Sequence, residues 1–220
     1  MPVLPPIPQD STHGTIARNI TEALRGLISG VPTSKEARRY NSREARARAQ
    51  VIANEAAVKA AMVGGGMAIV PGPFGILTII PALVQIWHIQ RQMVADIAAC
   101  YGRTPQLSQE MMLYCLFRHG AANVFAETVI QVGGRLLVRK ASLQVIQQLI
   151  QKISINVTQR MIGQFISRWL PFVGSAVIAA FTYRDTTNVG KTAIATFEKD
   201  FDFDVSSSIE SSESFPAIKI

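Results

Sequence analysis

From Ala60 to Gln90 the chain carries no formally charged residue, and the stretch MVGGGMAIVPGPFGILTIIPALVQIW within that run is interrupted by Pro71-Gly72-Pro73. No other feature limits the possible folds so sharply. Residues 60–84 are long enough for a bilayer crossing, with Thr78 the one conventional polar side chain. The prolines split them into two flanks, each about 16 Å long if helical, against a hydrocarbon core of about 30 Å. A break exposed to lipid would leave amides and carbonyls without partners, so a straight span is disfavoured. The expectation is a Gly/Pro-broken apolar helical hairpin, with Phe74, Ile76, Leu77, Ile79 and Ile80 as contact residues. Such a hairpin can sit in a protein core or dip into one leaflet.

The rest of the chain points to an all-α fold, a single helical bundle over residues 11–199. A proline-rich leader (1–10) precedes it and an acidic, Ser-rich tail (200–220) follows. Ile16, Ile20, Leu24 and Leu27 form one helical stripe, and a helix is expected over 34–62 that turns from charged to alanine-rich. A third runs from about Phe74 to Ala99 and stops at Tyr101-Gly102. A fourth covers 108–131, a long apolar stripe follows Gly133-Gly134, and a last helix begins after Leu170-Pro171. The tail FDFDVSSSIESSESFPAIKI suits disorder, a short strand or a docking peptide.

Charge separates the two ends. Residues 35–59 hold seven cations against three carboxylates, whereas residues 198–220 hold six carboxylates against two lysines. With 17% charged residues and a net charge of +7, an apolar or anionic partner is indicated. Arg38, Arg39, Arg43, Arg46 and Arg48 could meet an anionic membrane surface. Nucleic acid is a poor alternative, because Glu36 and Glu44 interrupt the basic helix and no zinc or RNA-recognition pattern accompanies it.

Enzyme motifs are missing where they should stand. Gly64-Gly65-Gly66 is followed by Met67-Ala68 rather than Gly-Lys-Ser/Thr, and Ser175 and Ser167 lack the GxSxG elbow. His13, His88 and His119 belong to no HExxH pattern, and Glu110, His119 and Glu127 make only a weak metal trio. No catalytic, cofactor or metal residue is therefore assigned. Gln85, His88, Gln92 and Asp96 line up on one helix face as a polar seam, and a bundle cavity near His88 and Asp96 is the least poor candidate for an enzyme of unknown class. Cys100 and Cys115 read as buried thiols in a reducing compartment.

Three segments together resemble the EcsC-like bacterial proteins: AAVKAAMVGG, then PGPFGILTIIPALVQIWHIQRQMVADIAACYG, and SRWLPFVGSAVIAAFTYRDTTNVGKTAIATF. The resemblance spans about residues 35–200, with Tyr101, Gly102, Leu170, Pro171, Gly174, Ala193 and Phe197 at the matching positions. An acidic residue common after the family's glycine-proline turn is absent at Ile80-Pro81-Ala82. The resemblance implies a helical, membrane-associated protein with no catalytic mechanism. The leading expectation is thus a nonenzymatic membrane-proximal interaction or scaffolding protein, in the cytoplasm and peripheral at the inner face of the membrane. Its partner would be an anionic membrane surface or a membrane-associated protein. The alternative is a soluble helical module that docks through its C-terminal tail or homo-oligomerises.

Overall fold

In a computed structural model, the residues described are 9–34, 36, 40–66, 75–119, 129–132, 135–139, 143–166, 175–199 and 201–204. Among these residues six α-helices carry the fold: α1 (Gln9–Ile28), α2 (Ser42–Gly66), α3 (Gly75–Cys100), α4 (Gln109–Phe117), α5 (Leu143–Ile166) and α6 (Ser175–Phe197). α2 lies between α3 and α6, α3 also packs on α6, and α1 packs on α5. This is the helical bundle expected from the periodicity.

Beside the helices stands a small sheet of β1 (Val129–Val132), β2 (Arg135–Arg139) and β3 (Phe201–Asp204), in that order. β1 and β2 are antiparallel with Val129 opposite Val138 and Val132 opposite Arg135. β3 runs parallel to β2, with Leu136 beside Phe201 and Arg139 beside Asp204. The expected fourth helix therefore ends at Phe117, not near residue 131, and the segment after Gly133-Gly134 starts as a strand. VIQV and RLLVR separated by two glycines is a hairpin pattern, and β-branched residues favour the extended backbone.

Apolar spacing builds the core. Along α2, Ala45, Ala49, Ile52, Ala53, Ala56, Ala57 and Ala60 are buried on one face. α4 is buried at every position from Glu110 to Phe117, and Trp87 of α3 meets Phe117 edge-on at 5.6 Å between ring centroids. On the other side, Ile20, Leu24 and Leu27 of α1 pack with Ile146, Leu149, Ile150 and Ile153 of α5. Thr21 Oγ1 donates to Ser154 Oγ at 2.9 Å, and Ser154 donates onward to Ile150 O at 2.7 Å, so this buried hydroxyl pair is satisfied.

Caps explain where the helices begin and end. Asn41 Oδ1 accepts from the Glu44 amide and starts α2 at Ser42, eight residues later than the expected start at 34. Ser108 Oγ accepts from the Met111 amide at the head of α4. α3 closes in a Schellman motif: Gly102 has φ 66°, its amide donates to Ala99 O, and the Arg103 amide donates to Ala98 O. A side chain at position 102 would be strained, which is why glycine follows Tyr101 there.

The apolar hairpin as a membrane element is overturned. Among the described residues no helix is long and apolar enough to cross a membrane. The uncharged run is shared out instead: its first residues complete α2, and Gly75 onward belongs to α3, where Ala82, Ile86 and Trp87 are buried in protein. Phe74 lies outside the described residues, Ile76, Leu77 and Ile79 lie on the α3 backbone, and Ile80 is half-buried.

Candidate interaction surface

α2 and α6 run antiparallel in close contact because their facing residues are small. An ideal Cβ at Gly190 would come 2.7 Å from Ala53 Cβ, one at Gly65 3.1 Å from Ala179 Cβ, and one at Gly64 2.5 Å from Thr182 Oγ1. Backbones that approach this closely leave little room inside the seam, so the larger side chains of both helices point away from it. Val51, Val58 and Met62 of α2 and Val177, Phe181 and Tyr183 of α6 are exposed, Met62 to 64% and Phe181 to 57%. Val51, Val58 and Met62 recur along one face of α2, unlike singly scattered apolar side chains, and such a row marks a contact surface.

A groove follows the outer side of the pair. Near the end of α2 and the start of α6 it holds about 440 Å³ and is lined by Val58, Ala61, Met62, Gly65, Ala176 and Ala179. Toward the other end it holds about 550 Å³ and becomes polar, with Arg46, Gln50, Asn54, Thr187, Lys191 and Glu198 along it. Tyr183 donates its hydroxyl to Asn54 Oδ1 at 2.7 Å between the two halves. Arg46 pairs with Glu198 at 3.2 Å, both exposed, a contact of about 0–1 kcal/mol.

Among the described residues, the arginines expected on a membrane surface do not form one free basic face. Arg43 is exposed, Arg46 is tied to Glu198, and Arg48 pairs with Glu36 at 2.6 Å. Arg38 and Arg39 lie outside the described residues. Glu36 is mostly covered, and Arg48 and the Tyr40 hydroxyl hold its carboxyl below its ordinary range. With no helix among the described residues long and apolar enough to cross a membrane, and two of the three described arginines engaged within the protein, the anionic membrane partner is corrected. The membrane-associated scaffold goes with it, as does the reason for a peripheral position at an inner membrane face.

The polar seam is distributed differently from its helical spacing. Gln85 and His88 are exposed. Gln92 Nε2 donates to Thr33 O and to Asp96 Oδ1, each at 3.0 Å, while Ser34 Oγ donates to Asp96 Oδ1 at 2.9 Å. Arg91 donates to Gly30 O alongside. These contacts pin the connection between α1 and α2 onto α3. A cavity of about 510 Å³ does include His88 and Asp96, with Glu36, Arg48, Glu55 and Lys59 around them. Among the described residues its lining has no hydroxyl or thiol nucleophile, and the Asp96 carboxylate accepts from Ser34 and Gln92.

A second polar cluster escapes sequence reading. Gln90, 1% exposed, donates through Nε2 to Asp185 Oδ2 at 3.0 Å and to Thr186 Oγ1 at 3.1 Å. Asp185 Oδ1 also lies 2.7 Å from His119 Nε2. Ninety-five residues separate Gln90 from Asp185, so spacing gives no signal; the clue is an amide inside an apolar stretch, which must find partners when buried. No three His, Cys, Asp or Glu side chains among the described residues are grouped to hold a metal ion. Burial pushes the Cys100 thiol up to about 11 and Cys115 up to about 12, so neither is an activated nucleophile at neutral pH.

No family model matches the chain, and neither the curated proteins nor the solved structures contain a significant match.

Proposed function

We propose that this chain is a helical protein-interaction module that self-associates through the outer face of α2. The observation that carries the reading is a palindromic apolar row. Ala47, Val51, Val58 and Met62 are exposed and spaced by four, seven and four residues. Two copies of α2 laid antiparallel about a two-fold axis would set Val51 against Val58 and Ala47 against Met62. Asn54 would then face Glu55 at the centre, so no like charges meet there. Such a row is self-complementary, as an isologous contact requires.

Sedimentation equilibrium tests this reading. Wild-type protein is expected to associate beyond its 24.0 kDa monomer mass at micromolar to submillimolar concentration. Met62→Lys is expected to weaken association about 30-fold, the cost of removing an anchor of about 2 kcal/mol. Because Met62 is exposed, its melting temperature should hardly change. A protein that stays monomeric at every concentration, or association indifferent to Met62→Lys and Val58→Lys, sinks the proposal. Kinship with the EcsC-like proteins is also proposed, on the order of the Tyr101-Gly102, Leu170-Pro171-x-x-Gly174 and Ala193-x-x-x-Phe197 motifs. It carries no membrane role here.

A further inference from the structure

Among the side chains the structure describes, six carry sulfur, and five of them are shut away. Cys100, Cys115, Met93, Met111 and Met112 are each at most 2% exposed, whereas Met62, near the end of α2, is 64% exposed and borders the apolar half of the α2–α6 groove. We propose that Met62 is an oxidation site, at which a hydroperoxide converts the thioether to a sulfoxide and thereby loosens the contact made by the α2 row.

Access decides which sulfur reacts. A thioether has no proton to lose, so it needs neither a base nor a lowered pKa, only a peroxide that can reach its lone pair. That lone pair attacks one peroxide oxygen, and the S–O bond forms as the O–O bond breaks. The hydroxide released takes the proton from the oxygen now on sulfur and leaves as water. Sulfur gives up two electrons and the peroxide accepts them. The cysteines do not compete, because thiols react as thiolates and burial keeps both protonated. At Met93, Met111 and Met112 the packed core stands between peroxide and sulfur.

The consequence rests on the self-association reading; the oxidation site itself does not. Met62 is the largest side chain of the exposed row and faces the Ala47 methyl group in the two-fold arrangement. A sulfoxide oxygen is a strong acceptor, and the alanine and valine side chains of the row offer it no donor, so burying it there leaves it unsatisfied. In the single chain the same oxygen stays in water and the fold is untouched. Association in turn covers the sulfur, so oxidation at Met62 should slow as protein concentration rises.

Two measurements on the full chain test the site and the switch separately. In the first, native protein is treated with hydrogen peroxide, quenched, digested and read by mass spectrometry at each methionine. Met62 should oxidise at least about tenfold faster than Met93, Met111 and Met112, and the difference should vanish in urea. A native rate at Met62 no greater than at those three overturns the oxidation site. In the second, sedimentation compares wild type and Met62→Leu before and after peroxide. Oxidised wild type should associate about tenfold more weakly, and Met62→Leu, which keeps an apolar anchor without sulfur, should be unchanged. Equal weakening of both proteins, or unaltered association of wild type oxidised at Met62, overturns the switch. If wild type is monomeric before and after peroxide while Met62 oxidises selectively, self-association and its switch fail together and the oxidation site stands.

Discussion

Gly190→Ala puts two known effects in opposition, and the structure decides the sign. In a helix interior, alanine is favoured over glycine by about 1 kcal/mol. At Gly190 the new Cβ would come 2.7 Å from Ala53 Cβ, 3.5 Å from Met93 Sδ and 3.6 Å from Ala53 Cα. Ordinary carbon contacts lie at about 3.5–4.0 Å, and a methyl group has no other rotamer to occupy, so α2 and α6 must separate by about 1 Å. A gap of that size forfeits a quarter to a half of each contact's attraction along the seam, including Gly65 against Ala179. Overpacking costs about 1–3 kcal/mol, and a rigid methyl group 2.7 Å from another places this case in the upper part of that range, about 2–3 kcal/mol, which exceeds the helix gain.

The expected outcome is a net loss of about 1–2 kcal/mol. With a urea dependence of about 2 kcal/mol per molar, the midpoint should fall by about 0.5–1 M. Far-UV circular dichroism in urea measures it, with fluorescence as a second probe of two-state behaviour. Gly26→Ala in α1 is the control, since nothing lies within 4 Å of its Cβ, and it should raise the midpoint. Adding Ala53→Gly to Gly190→Ala moves the methyl group to the opposite helix and should recover at least half of the loss. A rise for Gly190→Ala like that for Gly26→Ala, or strictly additive effects at 53 and 190, would refute the account of the seam.

The thiols and the Glu36–Arg48 ion pair give two more expectations. At pH 8, a pKa of about 11 for Cys100 and about 12 for Cys115 should slow alkylation of the native protein by about 100-fold and 1,000-fold relative to the unfolded chain, and quantitative labelling of native protein within minutes would contradict the burial. Glu36 has its carboxyl lowered from the ordinary 4.5 by Arg48, so the pair stabilises the fold fully above that value and its contribution disappears as pH falls through the lower, folded value. Arg48→Gln should therefore cost about 1 kcal/mol at pH 7 and much less at pH 3, measured by urea titration at both; an equal cost at both pH values would show that packing, not charge, is lost.

Much of the helical frame was legible because core contact imposes a 3.6-residue period on sequence. The α1 stripe of Ile20, Leu24 and Leu27 and the Tyr101-Gly102 stop are examples. Reading failed where a local signal was outvoted by its surroundings. VIQV-GG-RLLVR carried a hairpin pattern but lay between apolar stripes that suggested helix throughout. α2 starts later than residue 34 because Ser34 Oγ accepts from the Glu36 amide and donates to Asp96, while Asn41 caps the helix instead. The apolar run suggested lipid because length and hydropathy cannot distinguish a bilayer from a dry protein interior.

By itself, then, the sequence determined that the chain is mainly helical and where most apolar faces lie, since those follow from side-chain period and backbone propensity along a single chain. The partners were decided only by tertiary structure. Gly190 meets Ala53, Gln90 meets Asp185 and Thr186, and Arg48 meets Glu36 because helix packing brings together residues whose separation in sequence has no relation to their distance in space. The exposed row on α2 has the same origin: once α3 and α6 have taken the alanine face, Val51, Val58 and Met62 are the large apolar side chains of that helix left outside.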